Sequence, residues 1–283
     1  MAITRGNTTD YLIPNGMVDF NRFPIVNGVE RKDLAKGLRY LGASKEFNLS
    51  IESETIEHQS SECGKNVVDE EFVKSTKISG SLVIDNISAE NLAMFFSGDV
   101  TNAIQTAKTG EKDIIKVMPG LGYRLGATRQ NPNGVFAAVI TKIETFADED
   151  KARAGTPKVA ELTADTDYSF NADQAYLMIG DKKSTDKIAD EGTWVVVTYD
   201  LKAATRNVVV SKGDSYTGEL YFRGCNVRGE NRWYRIPRAK LEANGDFSLK
   251  GGEDYTSMSF TVTVLKDNDD PTMLYSNGTP VFS

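Results

Sequence analysis

Residues 40–99 change their hydrophobic period once, and that change constrains the fold more than any other feature of the chain. From Lys45 onward Phe47, Leu49 and Ile51 alternate with Glu46, Asn48, Ser50 and Glu52, the pattern of a half-buried strand. The alternation resumes over Phe72, Thr76, Ile78, Gly80, Leu82 and Ile84, with Val73, Ser75, Lys77, Ser79 and Ser81 on the other face. Two such strands can pair with one dry and one wet side. The stretch between them, 55–71, reads as a long polar loop. At Asp85-Asn86-Ile87-Ser88 the period becomes helical. Ser88 suits an N-cap, Ile87 can staple to Leu92, and Gly98 falls just past the end. Leu92, Phe95 and Phe96 make one apolar stripe and are the expected core contacts of that helix.

A length of 283 residues allows one or two domains, and β-rich chains of this size commonly form one. No apolar run approaches the roughly 20 residues a helix needs to cross a bilayer. The first 14 residues lack the apolar core and cleavage site of a secretory signal, so synthesis in a cytosol is expected. Cys63 and Cys225 are far apart and fit neither a disulfide framework nor a zinc site; both are expected as reduced thiols. The net charge of -7 argues against a general phosphate binder.

Residues 1–39 read as an arm rather than a core, with a turn at Ile13-Pro14-Asn15-Gly16, a short strand-like piece from Met17 to Phe23, and Pro24 and Asn27-Gly28 punctuating the rest, an arm that a neighbour could order. Residues 99–112 read as irregular and 148–157 as an exposed loop. Strands are expected within 114–118, 135–143, 168–179, 193–199, 207–210, 218–222, 233–236, 247–249 and 258–265, where β-branched and aromatic residues lie between Gly, Asp and Asn turns. There is no second strong helix and no repeat. The sum is a mainly β protein, an antiparallel sandwich or barrel with one flanking α-helix.

Catalytic chemistry finds little support. His58 is the only histidine, and without a nucleophile and an orienting partner it reads as a solvated loop residue. Gly120-Leu121-Gly122-Tyr123-Arg124-Leu125-Gly126 misses the dinucleotide-binding spacing. Asp267-Asn268-Asp269-Asp270 lacks the glycine and distal glutamate of a calcium loop and reads as an acidic turn. Residues 223–240 hold Arg223, Arg228, Arg232, Arg235, Arg238 and Lys240 among Phe222, Trp233 and Tyr234, the side chains of a single-strand nucleic-acid platform. The preferred reading is a strand whose arginines pair with nearby carboxylates. No catalytic, cofactor or metal site is assigned, and the chain reads as a non-enzyme.

With these residues in view, the chain resembles the major tail tube proteins of long-tailed bacteriophages. The likeness lies in Arg39-Tyr40-Leu41-Gly42, in Phe47-Asn48-Leu49-Ser50-Ile51-Glu52-Ser53-Glu54-Thr55, and in His58-Gln59-Ser60-Ser61-Glu62. It continues through the helical segment from Asp85 to Asp99. Thr166-Asp167-Tyr168, Gly218-Glu219-Leu220-Tyr221-Phe222, Arg235-Ile236-Pro237-Arg238 and the strand from Ser259 to Asp267 follow in the family's order. It is strongest over 39–99 and weakest over 126–164, a variable insertion within an otherwise single tail-tube domain spanning 1–283.

The resemblance implies a structural virion protein, assembled in the host bacterial cytoplasm, whose subunits form rings, commonly of six, that stack into a tail tube for DNA ejection. Its partners would be further copies of itself and the tail tip, tape-measure and tail terminator proteins. Double-stranded DNA would pass through without specific binding, and no membrane insertion or cofactor is implied. Ring closure removes the open edges of such a hairpin. The wet face, Glu46, Asn48, Ser50, Glu52, Ser75, Lys77, Ser79 and Ser81, would then line the lumen, where carboxylates and hydroxyls do not hold phosphates as a basic lining would. The loop residues Glu57, His58, Gln59, Ser60, Ser61, Glu62, Lys65 and Asn66 would reach the next ring. The alternatives are the tube of a contractile injection or secretion machine, or a monomeric β-sandwich binding module or hydrolase.

Overall fold

A computed structural model describes residues 11–60, 64, 67–213, 215–251 and 255–278. The chain divides into two compact units, Met1–Thr101 with Val208–Ser283, and Asn102–Asn207. Where the sequence reads as one domain with a variable stretch at 126–164, that stretch lies wholly inside a larger second unit.

In order the elements are β1 (Gly16–Arg22), β2 (Ile25–Val26), β3 (Val29–Glu30), β4 (Arg39–Tyr40), β5 (Ser44–Ser60), β6 (Val67–Ile84), α1 (Ala89–Phe95) and β7 (Gly98–Gln105). Then come β8 (Lys108–Val117), β9 (Gly122–Arg124), β10 (Ala138–Phe146), α2 (Glu149–Ala154), β11 (Ala160–Glu161), β12 (Tyr168–Asn171), β13 (Tyr176–Ile179) and β14 (Thr193–Leu201). Last are β15 (Ala204–Ser211), β16 (Tyr216–Gly224), β17 (Trp233–Ala243), β18 (Met258–Val264) and β19 (Tyr275–Asn277). The protein is thus mainly β, built of antiparallel sheets with short helices. Among the described residues no helix is long and apolar enough to cross a membrane.

The first unit is organised on one eight-stranded sheet, ordered β4-β1-β16-β17-β18-β6-β5, with β19 added on β17. Its dry face follows from the period of two. Met258, Phe260, Val262 and Val264 of β18 are buried, as are Ile78, Leu82 and Ile84 of β6. Across the ladder Phe260 faces Leu82 and Val262 faces Gly80, whose missing side chain matters, because a Cβ there would lie 2.0 Å from the Asn48 carbonyl oxygen. β1 is the strand-like piece expected at 17–23, but it belongs to the core rather than to an arm. Val18 and Phe20 are buried, and the strand sits inside the sheet between β4 and β16. The surrounding Pro and Gly punctuate its ends rather than dissolve it.

Helix α1 begins as expected, with the Ser88 hydroxyl accepting the Asn91 backbone N–H at 3.1 Å. Its end differs: Ser97, at φ +50°, takes the left-handed position expected of Gly98. Gly98 starts β7, where a Cβ would lie 2.1 Å from the Val210 carbonyl oxygen. Phe95 is buried against Phe260 and Phe247, at ring-centroid distances of 5.8 and 5.7 Å. Leu92 is partly buried on the same core. Phe96, however, is 41% exposed. It caps the helix, with its ring against those of Phe95 and Phe247.

The second unit holds a four-stranded sheet, β11-β10-β14-β8, and a three-stranded one, β12-β13-β9, over a core that includes Ile143, Leu177, Ile179 and Val197. The chain leaves the first unit along β7 and returns along β15, which pair with each other. Residues 99–112, expected as irregular, therefore mostly belong to β7 and β8. Residues 247–249 form no strand. Residues 148–157 contain helix α2, N-capped by Asp148 and ended by Gly155 at φ +72°; both signals stood in the sequence around only six helical residues.

Candidate assembly surface

The β5–β6 hairpin is the feature that sets this chain apart. Its strands are 17 and 18 residues long, about 55 Å at roughly 3.3 Å per residue. Only its base is covered by the fold. Beyond Ile51 on β5 and before Ile78 on β6, every described side chain but Ser60 is exposed. The stretch 55–71, expected as a loop, is strand through Ser60 and again from Val67. Cross-strand hydrogen bonds need no apolar face, so the ladder runs on where the alternation of polarity fades. Glu57, His58, Gln59 and Ser60 accordingly sit on β5. Ser61, Glu62, Lys65 and Asn66 lie outside the described residues, as does Cys63.

Register brings the expected wet face together. Asn48 pairs with Ser81, Ser50 with Ser79, Glu52 with Lys77 and Glu54 with Ser75, and paired residues share a face. Glu46 stands on the same side, opposite Val83. The polar face continues through Thr261 and Thr263 of β18 to Lys240 and Glu242 of β17.

The ladder has three register shifts, one at the base between Ser44 and Glu46 and two in the outer part. The register shifts between Glu54 and Thr55, leaving Lys74 as the extra residue on β6, and again between His58 and Gln59, leaving Asp69. Lys74 and Ser75 both reach the Glu54 carboxylate, at 3.1 and 3.2 Å, and the bulged Asp69 meets His58 Nδ1 at 2.6 Å. A bulge puts two successive side chains on one side and reverses parity beyond it. Phe72, expected on the dry face with Ile78, therefore pairs with Ile56 on the wet face. These two side chains, 52% and 42% exposed, escaped the sequence reading. The signal was that Ile56 breaks the odd-numbered series Phe47, Leu49, Ile51.

Beside the hairpin's base, on the dry face, lies a groove of about 240 Å³ lined by Leu12, Pro14, Phe47, Leu49, Phe222 and Tyr234, with Asn226 and Arg232 at its polar side. A second cleft of about 550 Å³ includes Arg22, Arg39, Glu90, Asp99 and Tyr216. Its lining holds neither histidine nor cysteine. Arg22 is tied to Asp99 at 2.7 Å and lies over the Tyr216 ring, and Arg39 donates to buried Asn91 at 2.8 Å. Asn91 in turn donates to the Leu41 and Asn86 carbonyls, a polar anchor of the helix that the apolar stripe did not disclose. Among the described residues, no group of three or more His, Cys, Asp or Glu side chains is placed to hold a metal.

Five of the six basic side chains of the arginine-rich segment pair with carboxylates of the protein itself. Arg223 pairs with Asp19, Arg235 with Glu219 and Asp270, Arg238 with Glu30, Arg232 with Glu230 and Lys240 with Glu242. The acidic turn behaves likewise, since buried Asp267 receives Lys32. These pairings set a pH dependence. Arg238 holds the Glu30 carboxyl below its usual range, as Arg22 and then Lys212 hold Asp99. Burial pushes Asp267 up, but Lys32 and the Asp269 backbone N–H bring it below normal. Carboxyls depressed in the folded state contribute stability that is present above the ordinary carboxylate value of about 4 and lost as pH falls below it. Thermal melting should accordingly give a Tm several degrees lower at pH 3 than at pH 7; an unchanged Tm would mean the pairs contribute nothing.

A family model matches residues 26–274. The chain belongs to the family described as protein of unknown function UCP028589. No curated protein matches the chain. The range matched to the UCP028589 family takes in the hairpin, helix α1 and the whole of the second compact unit.

Proposed function

We propose that this chain is a non-enzymatic structural subunit that closes into rings and stacks them into a tube, as the major tail tube proteins it resembles do, serving as a virion conduit for DNA. The observation that carries this reading is the β5–β6 hairpin, with its open edge and, from Glu46 to Glu54, its polar face. Among the described residues, β5 ends the eight-stranded sheet with no further strand beside it. A long unprotected edge invites pairing with another chain, and closure of a ring removes it. The far edge, β4, is two residues long, so one side of the sheet is built for extension and the other is blunt. On the polar face, hydroxyls and carboxylates outnumber lysines at the expected lumen positions, a surface over which a phosphate backbone slides rather than binds.

Electron microscopy of the purified protein at rising concentration tests the proposal. Rings or tubes with an open lumen are the expected result. A chain that remains monomeric at all concentrations overturns it.

A further inference from the structure

We infer that the outer part of the hairpin is a plug for another copy: the Ile56–Phe72 pair of one subunit seats in the groove between Leu12, Phe47 and Tyr234 of the next. This deepens, and rests on, the reading of the chain as a self-assembling subunit. The plug and the socket are both incomplete alone. Ile56 and Phe72 form a cross-strand pair on one face, and both are exposed among the described residues. The groove is floored by Phe47, Leu49, Phe222 and Tyr234, with Phe47–Phe222 and Phe222–Tyr234 ring centroids 5.9 and 6.1 Å apart. Exposed Leu12, Ile13 and Ile51 extend its apolar surface, and contiguous apolar surface of this kind marks an interaction site.

The occupant cannot be the chain's own plug. Ile56 stands seven residues beyond Leu49 on the same extended strand, roughly 23 Å away at about 3.3 Å per residue, and points to the opposite face. Contact therefore requires a second copy. Because plug and socket are different surfaces, the contact is heterologous, the kind that propagates from subunit to subunit and either closes a ring or extends a filament.

Charge agrees with the pairing. Over 52–60 and 68–74 the arm carries six carboxylates and one lysine. On the plug's own face Glu54 lies to one side, joined to Lys74, and Glu70, opposite His58, to the other. The loop at the socket carries Arg228, whose backbone bridges to Ile13, and Arg232, against a single carboxylate, Glu230. An acidic plug thus meets a socket rim of net positive charge, which steers association and fixes orientation.

Two variants separate the halves. Ile56→Asp with Phe72→Asp spoils the plug and leaves the socket; Leu12→Glu with Arg232→Glu spoils the socket and leaves the plug. All four positions are exposed, so the fold should survive. Sedimentation velocity of each variant alone should show monomers up to about 100 times the concentration at which the wild type associates, the loss expected when anchor side chains are removed from an interface. Mixed one to one, the variants should form a particle of two chains and no larger, through the one intact plug and the one intact socket. Phe72→Leu should retain assembly. Wild-type-like association of either variant alone, or a mixture that stays monomeric, overturns the inference. Closed rings that ignore both variants overturn the plug and leave the ring reading standing. Open head-to-tail chains that respond to them overturn the ring reading and leave the plug.

Discussion

Replacing residues 55–74 with the dipeptide Asn-Gly should abolish self-assembly while leaving a folded subunit. Glu54 and Ser75 are paired in register, so the two-residue turn joins strands already opposite each other, and Asn-Gly supplies the positive φ angles that a short hairpin turn needs. None of the side chains that form the first unit's core lies in the removed stretch. The Tm should therefore stay within a few degrees of the wild type. What disappears is the outer hairpin, with the exposed Ile56 and Phe72 and the last six residues of the β5 edge, Thr55–Ser60. Electron microscopy and sedimentation should then find monomers at concentrations where the intact chain, on the proposed function, assembles. Normal tubes from the shortened chain would remove the hairpin from the assembly mechanism, and loss of cooperative melting would show that it serves the fold instead.

The same hairpin marks where sequence stops being a guide to structure. At its base one face is buried, so Phe47, Leu49, Ile78 and Leu82 print the period of two onto the chain. Farther out both faces meet solvent, burial no longer selects polarity, and strand reads as polar loop. The bulges at Lys74 and Asp69 then exchange the faces, which no pattern of hydrophobicity records, and so Phe72 was placed with Ile78. Asn91 was hidden for another reason. Buried polar anchors are chosen for their hydrogen bonds, and its partners, Arg39 and the Leu41 carbonyl, lie about fifty residues earlier in the chain. The first unit joins residues 1–101 to 208–283, stretches about a hundred residues apart in sequence, so local pattern does not reveal the division. By contrast, the pairing of Arg223, Arg232, Arg235 and Arg238 with carboxylates is legible from charge balance alone.

Phe95→Asp should leave no cooperatively folded protein. The Phe95 ring is buried in an aromatic cluster with Phe260 from β18 and with Phe247 and Phe96. Truncating such a side chain to alanine costs about 3–5 kcal/mol through lost burial and the cavity left behind. A carboxylate adds the cost of an unpaired charge in an apolar site. The total is comparable with the whole net stability of a domain, about 5–15 kcal/mol. The neighbouring Phe96 provides the contrast. At 41% exposed, its replacement by aspartate places the charge at a solvated rim and should lower the Tm by only a few degrees. Circular dichroism melts of the two variants decide the matter. If Phe95→Asp melts cooperatively near the wild-type temperature, the helix is not seated on β18 through that ring; if Phe96→Asp proves equally damaging, the apolar stripe acts as one unit and the exposure of Phe96 understates its role.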